Sequence, residues 1–291
     1  MNRITLSLYR IRSVLSACGV GILIAIAVFG RLVPSAFAWI VLALAAVAVL
    51  MMIVAIVLVV VGPRALPQHP TVVVHAPIAG RWLAMNSPAT KVPSHGVRAY
   101  GQAFAIDLVS EPVEGSRPVF GDGPAMRPPT DYPAFGQPVL AMIDGEVVAA
   151  SGWRRDHRAR SDMPAMLYMS FEGMVRELGG PGFIIGNHVT IKGADGVFAT
   201  VAHLQRGSLA VKAGDRVLAG QQIGGCGNSG NTTEPHVHAQ LMDRRSPITG
   251  QGIPIAFRDI VIENSAAPAD ELIRDGLPAD GEHLIAGPRS H

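Results

Sequence analysis

Residues 186–204 read GNHVTIKGADGVFATVAHL, and residues 227–241 read GNSGNTTEPHVHAQL. Both stretches carry strand-like runs, and Asp195-Gly196 divides the first as a hairpin turn does. Residues two apart on a strand point to the same face. His236 and His238 therefore stand side by side, two imidazoles on one face. His203 follows another β run, Phe198–Ala202. Asp107 lies in Phe104-Ala105-Ile106-Asp107-Leu108. An Asp inside an apolar strand is costly unless it is paired or ligates a metal. His95 lies in the loop Pro93-Ser94-His95-Gly96. Three nitrogen or oxygen ligands plus one open position make the usual catalytic zinc arrangement.

Further runs rich in Val, Ile and Phe read as strands: Thr71–His75, Ala103–Val109, Pro138–Ala150, Gly182–Lys192 and His236–Met242. Asp144-Gly145 reads as a second hairpin turn. Helical signal is scarce, and Met169–Leu178 is its best stretch. The pattern predicts a mainly β domain of about 190 residues, enough for one core. Trp153–Pro181, opening on the polar Trp153-Arg154-Arg155-Asp156-His157-Arg158, reads as an insertion.

The N-terminus is different. Residues 14–30 and 37–61 are two uncharged apolar runs. About 20 apolar residues cross a bilayer, so the second run is long enough and the first is at the lower limit. Arg3, Arg10 and Arg12 favour a cytoplasmic N-terminus. Two crossings would then return the chain to the cytoplasm, whereas one crossing would place residue 64 onward outside. Ser35-Ala36-Phe37-Ala38 also contains a cleavage-like A-x-A pattern, a third alternative. The first 63 residues hold four charges, all arginine, so the remainder carries 20 basic against 22 acidic residues. A basic nucleic-acid surface is thereby excluded. Cys18 and Cys226 give no CxxC pair and no cysteine zinc site.

The ordered set of motifs resembles the lysostaphin-type zinc metallopeptidases, of which LytM is a member. The resemblance rests on Gly186-Asn187-His188-Val189, Ala202-His203-Leu204, Val211–Val217, Gly220–Gly224, Gly227-Asn228-Ser229-Gly230 and Pro235-His236-Val237-His238, with Pro138–Ala141 and Asp144–Val148 upstream. It covers roughly residues 95–242. It implies a mainly β, duplicated-hybrid-motif domain, sandwich-like or barrel-like, here preceded by N-terminal transmembrane helices. It implies that His238 ligates zinc and that His203 and His236 are the catalytic pair. In the family the other ligands are a His and an Asp four residues apart. Asp107 matches the Asp, but Ala103 stands where the His would be. His95, twelve residues before Asp107, is the nearest substitute, and Gln102–Asp107 resembles an extended branch of the family.

The implied organisation is a membrane segment over 1–63, a linker and leading strand over 64–94, a zinc metallopeptidase domain over 95–262 with its insertion at 153–181, and a flexible tail over 263–291. The implied activity is hydrolysis of bacterial peptidoglycan peptide cross-links, outside the cytoplasmic membrane. The implied partners are peptidoglycan peptides, a membrane, and an activator as yet unidentified. The missing four-residue His–Asp spacing keeps open a non-catalytic relative that binds cell wall or regulates another hydrolase. Val211–Val217 also resembles the hammerhead of lipoyl carriers, but the chain's three lysines offer none at the corresponding hairpin tip. Among other groups, His75 reads as a strand residue facing water, His188 as structural or cleft-lining, and His157 as solvated. Tyr100 and Asn187 read as cleft residues and Cys226 as a small packed side chain. His69, His283 and His291 are given no role.

Overall fold

The structure, a computed structural model, describes residues 3–263 and 273–287. They divide into two compact units, Met1–His69 and Pro70–His291.

The first unit is a pair of helices, α1 (Arg3–Phe29) and α2 (Ala38–Val61). Pro34 lies between them and has no N–H to continue a helix. Gly19 lies against Ala48 and Gly62 against the ring of Tyr9, so the helices run antiparallel. Both are long and apolar enough to cross a membrane by length and composition. The first apolar run is thus part of a 27-residue helix, longer than its uncharged stretch alone.

The second unit is built on a mostly antiparallel sheet of twelve strands. In chain order these are β1 (Val72–Val74), β2 (Gly80–Met85), β3 (Ile106–Ser110), β5 (Gly145–Ser151), β6 (His188–Lys192), β7 (Phe198–Ala202), β8 (Arg216–Val217), β10 (Val237–Met242), β11 (Gly252–Ile253), β12 (Ile255–Ile262), β13 (Ile273–Gly276) and β14 (His283–Ala286). The strands β4 (Pro138–Leu140) and β9 (Gln222–Gly225) form a separate pair. The main order is β1-β12-β14-β2-β3-β10-β7-β6-β5-β8, and β1 pairs with β12 in parallel. Between β5 and β6 come α3 (Met163–Leu178) and the short α4 (Pro181–Ile185).

β10 decides where the chemistry sits. Its alternation sends Val237, Ala239 and Leu241 into the core with Ile106, Leu108, Val189 and Val201. The other face carries His238, Gln240 and Met242, yet every residue of β10 is buried. The loop from Asn86 to Ala105 covers that face: Gly101 packs on Met242, and the Tyr100 carbonyl accepts from Gln240 Nε2 at 3.0 Å. Full burial of Val237 and Leu241 is worth about 1.5–3 kcal/mol each before conformational entropy is charged.

Several sequence expectations need correction. Residues 263–291 were expected to be a flexible tail, but β13 and β14 belong to the sheet, with β14 inserted between β12 and β2. The Ala/Pro/Asp/Glu composition hides a short alternation in which Leu284 and Ala286 are buried and Ile285 is exposed. Residues 264–272 and 288–291, His291 among them, lie outside the described residues. Asp195-Gly196 does join a paired hairpin, β6 to β7. Asp144-Gly145 does not: β4 pairs with β9, while β5 pairs with β6 and β8. The helix expected over Met169–Leu178 starts earlier, where Asp162 caps it by accepting from the Ala165 N–H at 2.8 Å.

Candidate metal centre

Strand register brings distant residues to one spot. His238 lies directly across from Asp107 on β3 and from Ala202 on β7, immediately before His203. Asp107 lies across from Met85 on β2, immediately before Asn86. The loop after Asn86 returns His95 to the same place. Ser94 ties it down, its N–H donating to the Ala103 carbonyl at 3.1 Å.

The result is a cluster in which one ligand atom each from His95, Asp107 and His238 lies within 4.8 Å of the others. His95 Nε2 is 3.0 Å from Asp107 Oδ2, and His238 Nδ1 is 2.9 Å from Asp107 Oδ1. Two imidazole nitrogens and a carboxylate suit zinc, whose tetrahedral ligand atoms stand about 3.4 Å apart. The donor set and its spacing therefore fit the ion that the sequence motifs imply.

A surrounding layer orients these groups. Gln240 Nε2 donates to the Tyr100 carbonyl, which turns Gln240 Oε1 toward His238 Nε2 at 2.9 Å. An amide oxygen only accepts, so His238 carries a proton on Nε2, and once Nδ1 gives up its own proton to bind a metal that atom would offer the lone pair. Asn86 donates its side-chain amide to Asp107 Oδ2 at 2.8 Å. Burial alone would raise the Asp107 pKa. The neighbouring His236, His95 and His238 outweigh it and hold this carboxyl well below the usual range. Burial works against His238 as well, but the hydrogen bond and charge of Asp107 raise it.

His203 and His236 stand beside the cluster with ring centroids 4.8 Å apart. His203 Nδ1 donates to the Ser229 carbonyl, and His236 Nδ1 donates to the Glu234 carbonyl, both at 2.8 Å. Each therefore presents an unprotonated Nε2, and His236 Nε2 lies 3.6 Å from Asp107 Oδ1. Burial lowers both pKa values and the neighbouring histidines add to it, against the opposing pull of Asp107. The Ser229 carbonyl is placed by a close backbone crossing. A Cβ on Gly186, at φ +66°, would collide with the Ser229 backbone, and one on Gly230 would meet the Ile184 carbonyl. His203 itself has φ +63°, a strained value for a residue with a Cβ.

All five residues singled out in the sequence, His95, Asp107, His203, His236 and His238, thus meet in one place. Asn86 and Gln240 were missed. Gln240 was legible in principle, being two residues beyond His238 on the same strand face. Asn86 was not, since β2 was not read as a strand.

Other expectations shift. His157 is buried rather than solvated: Nδ1 faces the Arg158 carbonyl and Nε2 the Gly230 carbonyl, each at 2.8 Å. Asn187 does not line the cleft. It is fully buried and staples Arg154 to Leu204 through its side-chain amide. His75 Nδ1 lies 3.1 Å from the Ala76 carbonyl and is outside the cluster. His188 is held by the Gly186 carbonyl and lines a small pocket with Thr190, Thr200 and Gln240. His283 pairs with Glu111 at 2.6 Å. Cys226 is fully buried, and burial pushes its thiol up, which makes it inert.

Part of the chain is similar to known proteins. Residues 129–249 match Peptidase family M23, a span that contains His203, His236 and His238. Over 73 residues the chain is 37% identical to the peptidoglycan DD-endopeptidase ShyA of Vibrio cholerae, covering 24% of this chain and 16% of that protein. The chain therefore spans about a sixth of that relative's length. Among solved structures, the catalytic domain of lysostaphin from Staphylococcus simulans is 22% identical, with 63% of this chain and 88% of that chain covered at a TM-score of 0.31. The catalytic domain of the prophage-encoded M23 protein EnpA from Enterococcus faecalis is 25% identical, with 47% and 85% covered at a TM-score of 0.28. Over residues 129–249 the chain is thus similar to peptidase family M23.

Proposed function

We propose that this chain is a zinc metalloendopeptidase that hydrolyses peptide cross-links of bacterial peptidoglycan. His95, Asp107 and His238 hold the metal, and His203 and His236 handle protons. One observation carries the reading: three donor groups converge beside two imidazoles whose Nδ1 atoms both face backbone carbonyls. Bound zinc supplies a Lewis acid that polarises a carbonyl and acidifies water. The protein's own residues do the rest. His203 and His236 accept a proton at Nε2 and, once charged, donate to an oxyanion or to the departing amine. Asp107 stays ionised. Gln240 keeps the His238 lone pair at Nδ1.

The similarity to family M23 and to the peptidoglycan DD-endopeptidase ShyA supports this substrate class. Such a substrate lies outside the cytoplasmic membrane. We therefore read α1 and α2 as a membrane anchor that leaves the second unit outside, through one effective crossing or a translocated N-terminus. This reading goes against the bias of Arg3, Arg10 and Arg12. Protease access to the second unit in intact spheroplasts tests the orientation. Digestion of purified sacculi, followed by separation of the released muropeptides, tests the activity. Parent chain that carries zinc yet releases no cross-link fragments would overturn the enzyme reading.

A further inference from the structure

The insertion contains a helix that is amphipathic the wrong way round. The inner side of α3 holds its charges: Glu172 pairs with Arg160 and Arg176, and Arg176 donates to Asn231 Oδ1 at 3.3 Å. The solvent side is apolar. Met163, Leu167, Tyr168, Phe171, Met174, Val175 and Leu178 recur at helical spacing and are all exposed, Leu167 at 75%, Phe171 at 64% and Leu178 at 88%. Soluble monomers rarely show so continuous an apolar stripe, which here runs about 24 Å along the helix.

The same face continues beyond the helix. Trp153 is 61% exposed and meets Phe183 edge-to-face at 6.2 Å. The Arg154 guanidinium lies over both rings, 4.5 Å and 4.9 Å from their centroids. Together with Arg155, Tyr168 and Phe171 these residues line an open groove of about 550 Å³. Arg155 and Arg158 are exposed. The acidic groups of the insertion are held in local contacts. Asp156 accepts from the Arg206 and Asn228 N–H groups, Asp162 caps α3, Glu172 faces the arginines, and Glu177 accepts from the Tyr100 hydroxyl. Arg154 and Arg155 thus stand at the groove beside the apolar face.

We propose that this face docks on an anionic phospholipid bilayer, with Leu167, Phe171 and Met174 among the acyl chains and Arg154, Arg155 and Arg158 at the headgroups. Apolar side chains rimmed by arginine, with Trp and Tyr at the boundary, match an interfacial helix. Charge complementarity selects the occupant. Lipid phosphates meet the arginines with opposite charge, whereas a second copy would bring its own arginines against them. The inner side of α3 also touches loops next to the metal centre, since Gly173 abuts Asn231 and Glu177 meets Tyr100, whose carbonyl holds Gln240. Docking would therefore hold the metal centre close to the membrane surface. The proposal rests on the anchored reading of α1 and α2.

The test uses full-length chain with Cys18→Ser, in nanodiscs of phosphatidylcholine alone or with 30% phosphatidylglycerol. Spin labels are placed singly through Phe171→Cys, Leu218→Cys and Val49→Cys. Collision with oxygen, which enters lipid, is compared with collision with a water-soluble nickel chelate. The expected result is oxygen-dominated relaxation at 49 and 171 and nickel-dominated relaxation at 218, with the signal at 171 weakening several-fold when phosphatidylglycerol is left out. A label at 171 as open to nickel as that at 218, with 49 in lipid, would overturn docking and leave the anchor standing. A label at 171 shielded from both reagents would show a protein partner or a second copy, and would also overturn it. Nickel access at 49 would overturn the anchor and docking together.

Discussion

His238 Nε2 lies 2.9 Å from Gln240 Oε1, and that one contact decides which imidazole nitrogen faces Asp107 and the candidate metal. Gln240→Ala removes the acceptor and lets the ring change tautomer or rotate. Zinc affinity should fall by roughly 10–100-fold, as for other groups that orient a metal ligand. Gln240→Glu keeps an acceptor at the same place and should restore most of it. Chelator competition measures both, and far-ultraviolet circular dichroism checks that the sheet is intact.

Asn86 acts on the other ligand. Its amide donates to Asp107 Oδ2, so Asn86→Asp would set a second carboxylate against the first. The variant should bind zinc at least about tenfold more weakly than the parent. Asn86→Ala should fall between the two. Equal affinity for all three would show that Asp107 is held by its histidines alone.

The histidines should separate binding from chemistry. His203 and His236 stand beside the donor cluster and not within it. His203→Ala and His236→Ala should each keep roughly the parent's zinc content while hydrolysis falls by about 10²–10⁴. Loss of metal in either variant would place that residue among the ligands.

Glu234 gives a pH signature in stability. Burial pushes its carboxyl from the ordinary 4.5 up to about 6, against the pull of Arg117 at 3.5 Å. The folded state therefore binds this proton more tightly than the unfolded chain. The associated stability is fully present below about 4.5 and is lost as pH rises through about 6. Glu234→Gln stays neutral and keeps the backbone carbonyl that holds His236. Relative to the parent it should gain about 1–2 kcal/mol between pH 4.5 and 7. Denaturant midpoints across that range check this, and a difference that does not change with pH would contradict it.

The chemistry was more legible in the sequence than the architecture. The period of two in β10 put His236 and His238 on one face, and the same period would have found Gln240. Asp107 stood out because a carboxylate in an apolar strand needs a partner. His95 came only from resemblance and elimination, because loop geometry has no period to read. β2 and β14 escaped for a different reason. They are long-range pairs, Trp82 with Ser110 and Leu284 with Trp82, and their local composition resembles linker or tail. The first turns of α3 were missed even though Ser161-Asp162-Met163-Pro164 is a helix start, with a capping Asp and an early Pro.

The most direct measurement is zinc content per chain of the full-length protein purified in detergent without added metal, beside His95→Ala, Asp107→Ala and His238→Ala. The account predicts roughly one zinc in the parent and a clear loss in each variant. A parent that holds no zinc and takes none up on titration, or a His95→Ala chain that keeps its full zinc, would contradict it.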